Sequence, residues 1–161
     1  MKDLDEKDLK LLNELQKNCK QNLKKLARKL DMSITTVHER IKKMEKEGVI
    51  MGYKAIINPE KTENSFTTFI LLQLDSRMIN ELGLTHKEVM INLAKIPHVL
   101  EAHVIAGEWD LLLKVRGKDV KQIHDFVITR IREMKGISRT HSAPVWENIK
   151  ESTELLLQQK I

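Results

Sequence analysis

The chain has 161 residues, 41% of them hydrophobic, and 28 Lys and Arg against 23 Asp and Glu give a formal net charge of +5 with pI ≈ 9.3. That length holds one domain or two small ones, and the apolar content excludes wholesale disorder. The single cysteine, Cys19, excludes an internal disulfide and any cysteine-cluster metal site, and no apolar run approaches the ~20 residues that span a bilayer. The opening MKDLDEKDLK is too charged for a signal peptide, so the expected location is cytoplasmic. Charge is unevenly spread. Residues 1–63 hold 15 basic and 11 acidic residues, residues 64–161 hold 13 and 12, and residues 17–46 alone hold 10 and 3. Such a local excess is the footprint of a nucleic-acid partner. An acidic membrane would also attract it, but the lysine-bearing faces lack interleaved large aromatics and have an apolar stripe of their own, so no membrane partner is expected.

Residues 4–16 predict a first helix, with Asp5 as N-cap, Asp8 at N3, Leu4 and Leu9 at the staple positions, and Leu9, Leu12 and Leu15 as its core face. Residues 17–21 are a polar connection. Asn22 can cap a second helix whose Leu23, Leu26, Ala27 and Leu30 make one apolar side. Asp31-Met32 breaks that pattern and Ser33 restarts it as an N-cap. On the third helix Ile34, Val37, Ile41 and Met44 form the stripe, and Thr35, Glu39, Lys42, Lys43 and Lys46 lie opposite. Gly48 stands where a left-handed residue would end that helix, with Val49 and Ile50 as apolar cover. Two short amphipathic helices about three residues apart are the layout of a helix-turn-helix. An ordinary helical hairpin with a solvated charged face has the same pattern. Under the first reading Ser33, Thr35, Thr36, His38, Glu39 and Arg40 face bases and Lys42 and Lys43 phosphates, because the first turns of the second motif helix meet base edges.

Val49–Ile57 reads as extended, and the polar NPEKTENS that follows completes a hinge over 53–65. From Phe66 strands and helices alternate. The expected elements are a strand at 66–75, a loop at 76–83, a helix opened by the Thr85-x-x-Glu88 capping box and stopped by Pro97, and strands at 98–106 and 109–116 around a tight Gly107-Glu108 turn. A helix over 118–135 ended by Gly136 and a strand over 137–150 interrupted by Pro144 complete the order. Residues 151–161 remain as a tail, whose Leu155–Leu157 either docks or frays. The order is βαββαβ, a ferredoxin-like unit with two helices over one face of an antiparallel sheet. The expected fold class is therefore α+β, with a helix-turn-helix domain at 1–52 and a ferredoxin-like domain at 66–150. The second sheet face carries too much Leu, Ile and Val for water, which predicts a dimer through this domain.

LDEKDLKLLNELQKN, LARKLDMSITTVHERIKKMEKEGVIMGYKAIINPEK and AGEWDLLLKV, taken together, closely resemble the Lrp/AsnC family of leucine-responsive or feast/famine transcription regulators, of archaeal type, over roughly residues 3–150. The resemblance implies a winged-helix-like DNA-binding domain and an amino-acid-binding ferredoxin-like domain. It also implies dimers that assemble further, often into octamers, and palindromic promoter DNA as target. Ser33, Thr35, Thr36, His38 and Arg40 match its recognition-helix positions. Lys24, Lys25, Arg28 and Lys29 either grip the DNA backbone or are solvated, and Glu39 either accepts from a cytosine or pairs with a neighbouring cation. Ala106, Gly107, Glu108, Trp109 and Asp110 resemble the family's effector hairpin, with Thr140 and Ser142 at its hydroxyl positions. Amides around a glycine turn can hold a carboxylate and Asp110 an ammonium, as a free amino acid requires. A plain turn with Asp110 as its cap has the same sequence.

No nucleophile-base pair, phosphate loop or metal-ligand set is visible, and His86, His98, His103, His124 and His141 show no helical pairing, so neither metal nor cofactor is expected and the chain is read as no enzyme. The competing reading is an enzyme on the same architecture, like the sirohaem decarboxylases, with His103 and Arg116 as nominal candidates. A bare oligomerisation module is the third, and it leaves the charge of residues 17–46 unexplained.

Overall fold

The computed structural model describes residues 4–157, in two compact units. One runs to Ile56 and takes in the segment from Lys150; the other is Ile57–Ile149.

The first unit is three helices, α1 (Glu6–Lys17), α2 (Leu23–Leu30) and α3 (Ile34–Lys46). Each starts where the sequence supplies a cap. Asp5 and Asp8 form a reciprocal capping box on α1, Asn22 accepts from Lys24 N–H, and Ser33 accepts from Thr36 N–H. Asp31 links α2 to α3 in the left-handed conformation that Asp and Asn tolerate best after glycine. Gly48, at φ 73°, ends α3, with its own N–H on Glu45 O and the Val49 N–H on Met44 O, the paired bonds of a Schellman end. Leu11, Leu12, Leu26, Ala27, Val37 and Met44 are the core.

Two expectations about this core change. The buried stripe of α1 runs through Asp8, Leu11 and Leu12, with Leu9 and Leu15 only half-buried. An acid at one core position disguises the period, so a reading by hydrophobicity alone slips around the helix. Ile34 lies 48% exposed, one turn too early to reach the core. Residues 155–157 pack along α1: the Gln16 amide donates to Leu155 O at 3.1 Å and accepts from Leu155 N at 2.7 Å, and Asn13 donates to Leu157 O at 3.1 Å. Leu157 joins the rim of the core.

The second unit holds β1 (Phe66–Leu74), α4 (Ser76–Glu81), α5 (His86–Ala94), β2 (Val99–Val104), β3 (Leu111–Gly117), α6 (Val120–Phe126) and β4 (Ile137–Pro144). The helix of α6 continues with π-type bonding through Val127–Ile131. The sheet is antiparallel in the order β2-β3-β1-β4, the ferredoxin-like arrangement. Ile70 and Leu72 of β1 with Leu111, Leu113 and Val115 of β3 form the face that packs on Ile79, Val89, Leu93, Ile123, Phe126, Val127 and Ile131. The expected loop at 76–83 contains α4, capped by Asp75, which buries Ile79 completely. Ile79 is the one buried side chain of so short a helix, too little for a periodic pattern. Gly136, at φ 93°, approaches so closely that a Cβ would lie 2.7 Å from Ile79 Cγ1, so only glycine fits there. β4 ends at Pro144 instead of reaching Lys150, opposite Thr68 near the start of β1, with one further bond from the Val145 N–H to Thr67 O at 3.0 Å.

Candidate nucleic-acid interface

On α3 the side chains of Thr35, His38, Glu39, Lys42, Lys43 and Lys46 are exposed, on the flank opposite the buried Val37 and Met44. Ser33 and Thr36 are spoken for locally: Ser33 Oγ caps the Thr36 N–H at 3.0 Å and lies 2.8 Å from Thr36 Oγ1. On α2, Lys24, Lys25 and Arg28 are exposed. Lys29 is exposed as well, with its Nζ 2.5 Å from Glu14 Oε2 on α1.

Arg40 also turns inward. Its Nη1 donates to Asp5 Oδ2 at 2.7 Å and to Asp8 Oδ1 at 2.6 Å. The remaining oxygens of the same two carboxylates close the capping box of α1, Asp5 Oδ1 on Asp8 N–H at 2.8 Å and Asp8 Oδ2 on Asp5 N–H at 3.2 Å. The Asp8 N–H, helped by Arg40, holds the Asp5 carboxyl below the usual carboxylate range, and both carboxylates raise the Arg40 guanidinium above its ordinary value. Lys29, with Lys17, likewise lowers the Glu14 carboxyl against the opposing effect of burial. Beyond α3, Tyr53 Oη donates to Glu45 at 2.9 Å, and burial pushes that phenol up to about 12. Sequence reasoning missed these acids as partners. Asp5 and Asp8 already had a role as caps, and nothing local marks a pairing across 35 and 32 positions.

The hairpin Ala106–Asp110 joins β2 to β3. The Ile105 N–H donates to Asp110 O at 3.0 Å, and Asp110 N–H to Leu72 O at 2.9 Å. The Asp110 carboxylate accepts from the Leu74 N–H at 2.7 Å, so it caps the turn while remaining exposed. Half-buried Trp109 has the Arg139 guanidinium 4.9 Å above its ring and the His141 ring 5.9 Å away. Arg139 also pairs with Glu108 at 3.2 Å, and Gln73 donates to Glu108 O at 2.6 Å. Thr140 and Ser142 do not join this cluster. Strand alternation puts them on the helix-covered face, opposite Leu72 and Ile70, where Thr140 accepts from Arg132 at 2.9 Å. Arg139, which the sequence did not single out, shares the Trp109 face instead, and the same alternation on β4 was the available signal. His103 pairs with Glu101 and Arg116 with Thr67. Among the described residues no group of three His, Cys, Asp or Glu converges as a metal site, and no helix is long and apolar enough to cross a membrane.

A capped three-helix unit with a basic exposed helix, joined to a ferredoxin-like sheet domain, defines a DNA-binding regulator with a ligand-binding domain. Residues 4–51 match the winged helix-turn-helix DNA-binding domain and residues 67–155 the Lrp/AsnC ligand binding domain. The chain is 42% identical over 148 residues to an uncharacterized HTH-type transcriptional regulator of Pyrococcus furiosus, covering 92% of this chain and 96% of that one. An AsnC family transcriptional regulator from Agrobacterium tumefaciens superposes with a TM-score of 0.86 at 32% identity, over 96% and 97% of the two chains. A transcriptional regulator of Neisseria meningitidis, solved as a complex with L-Met, has the same TM-score and coverage at 25% identity. The chain belongs to the Lrp/AsnC family of transcriptional regulators.

Proposed function

We propose that this regulator binds palindromic promoter DNA sequence-specifically through α3, as a dimer that assembles further, and that a free amino acid tunes it through the second unit. The observation that carries the reading is the outward flank of α3, where Thr35, His38 and Glu39 offer donors and acceptors and Lys42 and Lys43 follow one turn on. Small polar groups suit base edges, and lysines suit phosphates as the helix leaves the groove. Ser33 and Thr36 sit at the helix start, where backbone N–H groups also favour a phosphate. Partly exposed Phe69, Leu71 and Leu112, on the sheet face away from the helices, support the dimer, and residues 53–65 serve as the hinge. The amino-acid reading rests on the Neisseria relative's L-Met complex together with the Trp109–Arg139–Glu108 cluster, which offers an aromatic wall and both charges.

The test is a mobility-shift titration of the full chain on the DNA upstream of its own gene. Thr35→Ala and His38→Ala are expected to relax discrimination against mutated operators, and Lys42→Ala to weaken all sequences alike. Affinity unchanged in all three sinks the assignment. Repeating the titration with each free amino acid reads out the effector.

A further inference from the structure

We propose that Arg40 is a positioning residue of the recognition helix, acting through Asp5 and Asp8, and not one of its DNA contacts. The inference rests on α3 being the DNA-reading helix and concerns how that helix is aimed. Arg40 lies three residues from buried Val37 and four from buried Met44, so it shares their flank of the helix. One guanidinium nitrogen bridges two carboxylates, and each of those carboxylates spends its other oxygen on the first turn of α1. The start of α1 and the second turn of α3 are therefore one hydrogen-bonded unit. Swinging Arg40 out to a base or phosphate would strand Asp8, which is only 4% exposed, without its counter-charge.

The far end of α1 repeats the device. Glu14, 8% exposed, holds Lys29 of α2. α1 thus grips each helix of the motif by one buried acid, Asp8 on α3 and Glu14 on α2. Two charge-assisted contacts near opposite ends of one brace restrict the angle between the two helices more than the short Asp31–Met32 turn can alone. Two of the cations that look available to DNA in the sequence take part in this brace, Arg40 mostly buried and Lys29 half-exposed.

The experiment measures affinity of the full chain for its promoter fragment across a salt series, at a temperature where circular dichroism shows every variant folded. Lys42→Ala is the reference and is expected to reduce the slope of log K against log salt by about 1. Arg40→Ala is expected to weaken binding roughly tenfold, the scale of one lost base contact, with the slope of the wild type. Asp8→Asn, which keeps the capping acceptor, is expected to lose a similar factor, and the Arg40→Ala/Asp8→Asn double variant to be no worse than Arg40→Ala alone. Arg40→Lys should recover part of the loss. A slope reduced by about 1 in Arg40→Ala with wild-type affinity in Asp8→Asn makes Arg40 a phosphate contact and overturns the proposal. Wild-type affinity in both leaves only a stabilising pair and overturns it equally. Should Arg40→Ala not fold, Asp8→Asn and Arg40→Lys decide by the same criteria. A wild-type chain that retains no duplex at all fails the DNA-binding reading, whereas a binding wild type with either contrary pattern fails this inference alone.

Discussion

Two arginines touch the two candidate sites, and they are held in opposite ways. Arg40, with 26% of its side chain exposed, bridges Asp5 and Asp8, the second only 6% exposed. Arg139, 60% exposed, lies over Trp109 and meets a Glu108 that is 65% exposed. The chemistry of the contacts is the same, but the surroundings differ. In water an ion pair gains little over its solvated partners, about 0–1 kcal/mol. Where water is excluded, losing one member leaves a charge that nothing else solvates. Arg40 is therefore held by its surroundings as well as by its partners, while Arg139 keeps a largely solvated guanidinium.

The largest expected effect is at the buried end of that comparison. Asp8→Ala should destabilise the first unit by about 3 kcal/mol, combining the lost counter-charge of Arg40 with half of a capping box. Urea denaturation followed by helical circular dichroism measures it, and a change under about 0.5 kcal/mol would place Arg40 with the surface pairs. The next effect is the pH response of the same network. Asp5 and Glu14 both have folded carboxyls below their ordinary range. Their contribution is present above the unfolded carboxylate range and is lost as pH falls through the folded values, so stability should stay level down to about pH 4 and decline below it. Arg40→Ala should flatten the Asp5 part of that decline, and an acid limb identical to the wild type would show that Asp5 gains nothing from Arg40.

What the sequence carried follows the same division. Caps and helix ends were legible because each is a local pattern: Asn22, Ser33, Thr85 and Gly48 act within a few residues of where they stand. The βαββαβ order was legible because the strands and the two long helices each repeat their own period. What stayed hidden depends on partners far along the chain. Asp8 occupies a core position on α1 only because Arg40, 32 residues later, neutralises it. Trp109 meets His141 and Arg139 because of the β1–β4 register, where Leu71 faces His141 and Gln73 faces Arg139. Thr140 and Ser142 share that strand with Arg139 but lie on its other face, since one position along a strand reverses the side.

The smallest effect belongs to Arg139, and it sharpens the contrast most. Arg139→Ala should shift stability by about 0.5 kcal/mol or less, because both partners are solvated and the cation over an exposed ring is worth little more. It should nevertheless move the Trp109 emission, since the guanidinium lies 4.9 Å over that ring. Trp146, the other tryptophan, is fully exposed, so its emission is already that of indole in water and gives a constant background. If the variant proves as destabilising as Asp8→Ala, the hairpin is held together by Arg139 and has no free cation for a ligand. If instead the emission changes while the unfolding curve does not, the guanidinium contributes little to folding. Loss of amino-acid response in that folded variant would then reflect the ligand's carboxylate losing its partner.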